Sequence, residues 1–323
     1  MIGLLTGNVI VVQITKGDVL MAVRHSEERI ATCNGIKIAY DTFGEMTSQP
    51  VLLIMGLGTQ MILWDEEFCS LLAARGFWVI RFDNRDIGLS SKLDGLGLPN
   101  VFELLQGKAV QRPYTLRDMA DDALSLLDAL DIPSAHILGI SMGGMIAQLM
   151  AIHYPQRVRT LGSFISSTSD PALPPPKPEA IQVLFKPIPV KKEPFIDHFM
   201  ETWRVLNGDQ MPMDEERVRR FAEQTFARGI HPPGNVRQLA AILTAPSRRQ
   251  ELASVAVPTL VIHGDADPLV PVACGIDTAE SVPGAHLHII PGMGHMLHPL
   301  AWKEIVDAVE DLAAQCKGSG SSG

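Results

Sequence analysis

Residues 135–144 read AHILGISMGG. Ala135 to Ile140 is short, apolar and rich in branched side chains, the pattern of a buried strand. Gly143, Gly144 and the run from Met145 to His153 read as a helix start and its body. Ser141 therefore sits on a sharp strand-to-helix turn flanked by glycines, the arrangement of a nucleophile elbow. The glycines fit because the backbone is strained there and strand and helix pass so close that a Cβ would clash. Such a turn lifts the Ser141 hydroxyl clear of the sheet. It also puts the Met142 N–H at a helix N-terminus, where it can face a developing oxyanion. The five-residue pattern Gly139 to Gly143 recurs by chance as a plain turn with a solvated serine; the strand before it and the helix after it favour the elbow.

Working outward, 323 residues that are 46% hydrophobic can bury a large core, as one large α/β domain or a domain with an insertion. A net charge of −9, spread along the chain, argues against nucleic acid or an anionic membrane as the main partner. Cys33, Cys69, Cys274 and Cys316 lie far apart with no C-x-x-C pair. They are expected to be free thiols in a reducing, cytoplasmic compartment. No apolar run reaches the length of a membrane span. Met1 to Val12 is apolar but lacks a basic n-region and a small-residue cleavage site, so a signal peptide is not expected. Residues 1–24 are expected to be peripheral, with Met21 a candidate alternative start, and residues 317–323 a linker-like tail.

Between these ends, Glu28 to Gly44 reads as a hairpin about an Asn34-Gly35 type I′ turn. Strand-like runs follow at Val51–Met55, Phe77–Phe82, Ala135–Ile140, Arg159–Ser166, Thr259–His263 and His286–Ile290. Several are apolar throughout, as strands covered on both faces should be. Helical patterns alternate with them: Thr115 and Asp118 form a start signal, and Leu116, Met119, Ala120, Ala123, Leu127 and Leu130 give one apolar face. This alternation implies a mostly parallel sheet with helices on both faces. The rhythm breaks at Asp170, where seven prolines crowd between Pro171 and Pro189, and resumes near Val257-Pro258. Amphipathic helical stretches at Pro194–Asn207 and Asp214–Ala227 fill the gap. Residues 168–250 are thus expected to be a helical cap inserted into a core of residues 25–167 and 251–316. A set of ordinary outer helices is the alternative; the position between the elbow and the later strands favours the cap.

A serine hydroxyl needs a base, usually histidine, and a carboxylate to orient that base. Beyond the insertion, Thr259 to Pro268 (TLVIHGDADP) offers Asp265 and Asp267 just past a strand. Asp267 is preferred because it lies further past the strand end and Pro268 helps fix its loop; Asp265 suits a turn closure. The next strand runs into a glycine-rich loop ending at His295, the candidate base, with His298 as runner-up. His286 and His288 alternate within the strand, and His263 lies inside the acid strand, so all three read as structural. A second oxyanion donor is expected on the loop after an early strand. Val51 to Gly58 (VLLIMGLG) places the Leu57 N–H there, between two glycines.

These stretches resemble the α/β-hydrolase superfamily from about residue 29 to 315. The matching segments are LLIMGLG with WDEEF following, VIRFDNRDIGLS, HILGISMGG, PTLVIHGDADPLVP and IPGMGHMLHP. They look most like the aclacinomycin methylesterase-like bacterial carboxylesterases. The resemblance puts nucleophile, acid and base on Ser141, Asp267 and His295, and the oxyanion donors on Leu57 and Met142. Two departures stand out: Met55-Gly56 where many relatives have His-Gly, and Asp86 where many have glycine, an aspartate the methylesterase-like branch shares. Ester hydrolysis through an acyl-enzyme is implied, with no metal, nucleotide or organic cofactor. The expected pocket is apolar, with Met61, Trp64, Phe199 and Trp203 as candidate substrate contacts, and short- to medium-chain esters as substrates. The rival readings are lactone, carbon–carbon bond or perhydrolase chemistry on the same triad, or a receptor-like fold that captures a small ligand.

Overall fold

Successive residues of a strand face opposite sides of its sheet. Val51 and Leu53 join one apolar cluster and Leu52 and Ile54 another, and all four are fully buried. Both sides of the sheet must therefore be covered. The computed structural model describes residues 7–14, 19–106, 108, 110 and 112–318. Its strands are β1 (Gly7–Ile14), β2 (Val19–Ser26), β3 (Arg29–Cys33), β4 (Ile36–Phe43), β5 (Gln49–Ile54), β6 (Phe77–Phe82), β7 (Ala135–Ile140), β8 (Val158–Phe164), β9 (Thr259–Gly264) and β10 (His286–Ile290). Its helices are α1 (Glu66–Ala74), α2 (Val101–Leu105), α3 (Leu116–Ala129), α4 (Met142–His153), α5 (Pro178–Phe185), α6 (Lys192–Asn207), α7 (Glu215–Arg228), α8 (Pro232–Leu243), α9 (Val272–Ser281) and α10 (Trp302–Gly318).

The strands form one sheet in the order β1-β2-β4-β6-β5-β7-β8-β9-β10, with β3 paired to β4. From β6 to β10 along that order the pairing is parallel, and β1 to β4 add antiparallel neighbours at one end. Leu116 and Met119 of α3 and Ile146 and Met150 of α4 cover one face. Phe68 and Leu72 of α1 and Ile305 and Val309 of α10 cover the other. β5 has β6 on one side and β7 on the other, so the chain changes direction across the sheet there. A crevice opens beyond the carboxyl ends of strands at such a switch point.

Local chemistry sets the boundaries. Cys33 pairs with Ile36 across a two-residue turn in which Asn34 and Gly35 have φ of 48° and 78°, as a type I′ turn requires. The Asp118 N–H donates to Thr115 Oγ1 at 3.3 Å and the Thr115 N–H to Asp118 Oδ2 at 2.8 Å, closing the capping box of α3. β8 stops at Phe164, two residues before the expected Ser166, because Ile165 turns to a φ of 42°. Four helices, α5 to α8, lie between β8 and β9. The amphipathic pattern marks only α6 and α7. The other two, α5 and α8, each begin on a proline, which fits the first helical position because its missing N–H would have no partner there. The antiparallel pair β1 and β2 lies at the sheet edge, and β2 meets β4 through the His25–Phe43 pair. Residues 1–6 and 15–18 of the segment expected to be peripheral, and residues 319–323 of the expected tail, lie outside the described residues.

Candidate active site

The loops after β5, β7, β9 and β10 converge on the crevice. Ser141 follows β7 with φ 55° and ψ −119°, a conformation that costs a non-glycine residue energy and is held by its surroundings. Its N–H donates to Phe164 O at 2.9 Å, and Ser166 Oγ donates to its carbonyl at 2.7 Å. The close approach demanded of the glycines is present: a Cβ on Gly143 would fall 2.6 Å from the Ile54 carbonyl carbon, and one on Gly139 2.6 Å from Gly144 N. α4 thereby packs directly on the end of β5.

His295 Nε2 lies 3.0 Å from Ser141 Oγ, and His295 Nδ1 lies 2.7 Å from Asp267 Oδ2. With Nδ1–H donated to the carboxylate, Nε2 is left as an acceptor for the serine proton. Asp267 is buried, and its Oδ1 accepts the Leu269 and Val270 N–H groups, each at 2.8 Å. Asp265 Oδ1 instead accepts the Gly292 N–H at 2.7 Å and closes a turn. His298 is likewise engaged elsewhere: Nε2 donates to Pro212 O at 2.8 Å and Nδ1 accepts the Leu300 N–H at 3.2 Å. His288 bonds Glu304 at the surface. His263 is fully buried and donates from Nε2 to Val270 O at 2.7 Å, bracing the loop that carries Asp267. Burial, ahead of the opposing pull of Asp267, pushes the His263 imidazole below its ordinary value, so it is neutral at neutral pH.

Gly56 lies against the serine, since a Cβ there would meet Ser141 Cβ at 3.3 Å. That places the Leu57 loop beside the hydroxyl. Met142 is the first residue of α4, where an N–H has no intrahelical acceptor. A mostly apolar cavity of about 1130 Å³ opens over Ser141 and His295. Leu57, Trp64, Phe199 and Trp203 are among the residues that line it. Met61 does not: it is fully buried at the start of a short helical turn, held there because its N–H donates to Asp83 Oδ1 at 2.8 Å. Among the described residues, no group of three or more His, Cys, Asp or Glu side chains is placed to hold a metal ion.

Sequence reasoning missed the groups that tie α6, α7 and α8 to the core. His295 N–H donates to Leu206 O at 2.7 Å, so the end of α6 holds the loop that carries His295. Arg228 of α7 bonds Asp83 Oδ2 at 2.9 Å. Arg237 of α8 grips Asp86 with two bonds of 2.8 and 2.7 Å, and Tyr114 donates to the same carboxylate at 2.8 Å. Burial pushes the Asp86 carboxyl up, but the Arg237 guanidinium, the Leu93 N–H and the Tyr114 hydroxyl together hold it below the ordinary carboxylate range. The one signal in the sequence was Asp86 itself, a departure from the commoner glycine.

Fold, elbow and converging loops define an α/β-hydrolase, and comparison with known proteins agrees. The alpha/beta hydrolase fold family matches residues 49–301, and the chain belongs to that family. Rhodomycin D methylesterase DauP of Streptomyces sp. (strain C5) is 31% identical over 297 residues, covering 85% of this chain and 94% of the relative. Rhodomycin D methylesterase DnrP of Streptomyces peucetius is 30% identical over 298 residues, with the same 85% and 94% coverage. The enol-lactonase of Burkholderia xenovorans LB400 shares the fold, with a TM-score of 0.67 at 22% identity over 88% of this chain and all of that one. The chain is a hydrolase, and its similarity to the two methylesterases marks it as one of the esterase kind.

Proposed function

We propose that this chain hydrolyses carboxylic esters of short to medium chain length through an acyl-enzyme on Ser141. The observation that carries the reading is the single imidazole of His295 bridging Ser141 Oγ at 3.0 Å and Asp267 Oδ2 at 2.7 Å. Ser141 Oγ attacks the ester carbonyl while His295 Nε2 takes its proton. Asp267 keeps the imidazole in the required tautomer and stabilises the imidazolium. The Leu57 and Met142 N–H groups receive the oxyanion, helped by the positive end of α4. His295 then protonates the departing alcohol, and water, deprotonated by the same imidazole, releases the acid.

Helices α5 to α8 act as the cap of the site within residues 168–250, with residues 25–167 and 251–316 as the core. Phe199 and Trp203 of α6 line the cavity and supply the apolar wall against which the acyl part packs. The substrate is a small molecule. Cys33, Cys69 and Cys274 are buried free thiols, which supports a reducing, cytoplasmic setting.

The test is hydrolysis of p-nitrophenyl esters from acetate to palmitate by wild type and Ser141→Ala. Saturable turnover at short to medium chain length, reduced at least about 10⁴-fold in the variant, is expected. Turnover that survives in Ser141→Ala, or that peaks at palmitate, refutes the corresponding half of the proposal.

A further inference from the structure

Three consecutive peptide groups of the loop after β5 are held by side chains, two from outside the loop and one from Thr59 within it. Asn84 Nδ2 donates to Met55 O at 2.9 Å, Thr59 Oγ1 donates to Gly56 O at 3.0 Å, and Gly58 N–H donates to Gln238 Oε1 at 2.8 Å. A trans peptide is planar, with its C=O and N–H pointing in opposite directions. Fixing Gly56 O therefore fixes the direction of the Leu57 N–H. Fixing Gly58 N–H fixes the next plane, so both peptide planes that meet at the Leu57 Cα are pinned.

Gln238 stands out because it reaches the loop from α8, 180 residues away along the chain. It is fully buried, and its Nε2 donates to Arg85 O at 2.9 Å, so the amide has no freedom to turn. Asn235, one turn earlier on α8, packs on the same loop: a Cβ on Gly58 would fall 2.8 Å from Asn235 Cγ. The helix is in turn seated on the loop after β6 by the Arg237–Asp86 pair and by Gly234, where a Cβ would meet Asp86 O at 2.5 Å.

We infer that Gln238 is a positioning residue for the ester-cleaving reaction: it holds the Leu57 loop in the orientation that aims the Leu57 N–H at the oxyanion. The oxyanion donor is thus completed only when α8 is docked on the core. The inference rests on the proposed role of Leu57.

The experiment compares wild type, Gln238→Leu and Gln238→Glu. Leucine keeps the volume and removes both polar contacts. Glutamate keeps an oxygen that accepts the Gly58 N–H. For each protein we would measure melting temperature, amide exchange at Gly58, kcat and KM on p-nitrophenyl butyrate, and inhibition by an aliphatic trifluoromethyl ketone, whose serine adduct carries an oxyanion. Loss of one such donor costs about 10²- to 10³-fold in kcat, and a misdirected one is expected to cost about 10- to 100-fold. The inference therefore expects Gln238→Leu to lose that factor in kcat with KM nearly unchanged. Ketone inhibition should weaken by a similar factor, Gly58 exchange should speed up, and Gln238→Glu should recover most of all three. A folded Gln238→Leu with faster Gly58 exchange but wild-type kcat and ketone affinity overturns it. So does a Gln238→Glu variant that stays as impaired as leucine while keeping the wild-type melting temperature. Absence of ester turnover in the wild type overturns the ester-hydrolase reading instead, and ketone affinity against Gly58 exchange then still decides the role of Gln238.

Discussion

Gly143→Ala is the substitution whose consequence the structure specifies most closely. The new Cβ would sit 2.6 Å from the Ile54 carbonyl carbon and 2.9 Å from Met55 O, and closer still to Ile54 O. All three are backbone atoms at the end of β5, in the middle of the sheet, and no rotamer change relieves them. Ordinary contact begins at 3.4 Å, so relieving the closest of these contacts requires α4 and β5 to part by more than an ångström. The two proposed oxyanion donors lie on opposite sides of that gap, Met142 on α4 and Leu57 on the loop after β5. Hydrogen bonds to an oxyanion need about 2.7–3.1 Å, so such a separation removes one of them and lowers kcat about 10²- to 10³-fold. Overpacking of this kind also costs about 1–3 kcal/mol of stability. Steady-state kinetics on p-nitrophenyl butyrate with thermal melts would read both effects. Gly95→Ala is the control, because a Cβ there meets nothing within 4 Å and its φ is not positive. A Gly143→Ala protein with kcat within threefold of wild type would refute the claim that the helix–strand approach sets the oxyanion geometry.

Asp267→Asn is expected to lower kcat about 10⁴-fold at neutral pH, because an amide no longer enforces the imidazole tautomer; a loss under tenfold would remove Asp267 from the triad. His298→Ala is expected to lower the melting temperature while kcat stays within threefold, since the His298 ring bonds Pro212 O and the Leu300 N–H; an inactive but folded variant would promote it to the base. Breaking the buried Asp86–Arg237 pair from one side, as Arg237→Met, should cost about 3–5 kcal/mol in urea unfolding; an unchanged midpoint would show that α8 is seated by other contacts. The Asp86 carboxyl is held below its unfolded value, so the stability it contributes is present in full above about pH 4 and is lost as pH falls through the folded value. Stability measured from pH 7 to pH 3 should therefore fall less steeply for Asp86→Asn than for wild type, and parallel curves would contradict the assignment.

The elements legible in the sequence are those specified by neighbours. Phe77–Phe82, Ala135–Ile140 and His286–Ile290 appear with the expected bounds because their apolar runs end at turn-forming residues. The Asn34-Gly35 turn and the Thr115 capping box are chemistry within a few residues of chain. The insertion is legible as a break in rhythm, but α5 and α8 hide behind prolines that mark breaks as readily as helix starts. Met61 departs from its expected place on the cavity wall because apolarity and nearness to the oxyanion loop do not say which way a side chain turns; the bond from its N–H to Asp83, 22 residues on, decides that.

What the sequence by itself determined is the order of the candidate reacting groups along the chain and the short list from which each comes. Ser141, Asp267 and His295 each stand just past a strand, and a glycine-flanked turn from strand to helix raises a serine hydroxyl above the sheet. Only the tertiary structure shows which histidine lies beside that serine, which aspartate lies beside that histidine, and what holds them there. Those contacts join residues 28 positions apart for Asp267 and His295, 154 apart for Ser141 and His295, and 180 apart for Gln238 and Gly58. Hydrogen-bond partners at such separations follow from how helices and strands pack in three dimensions. No periodicity, cap or turn signal in the chain encodes that packing locally.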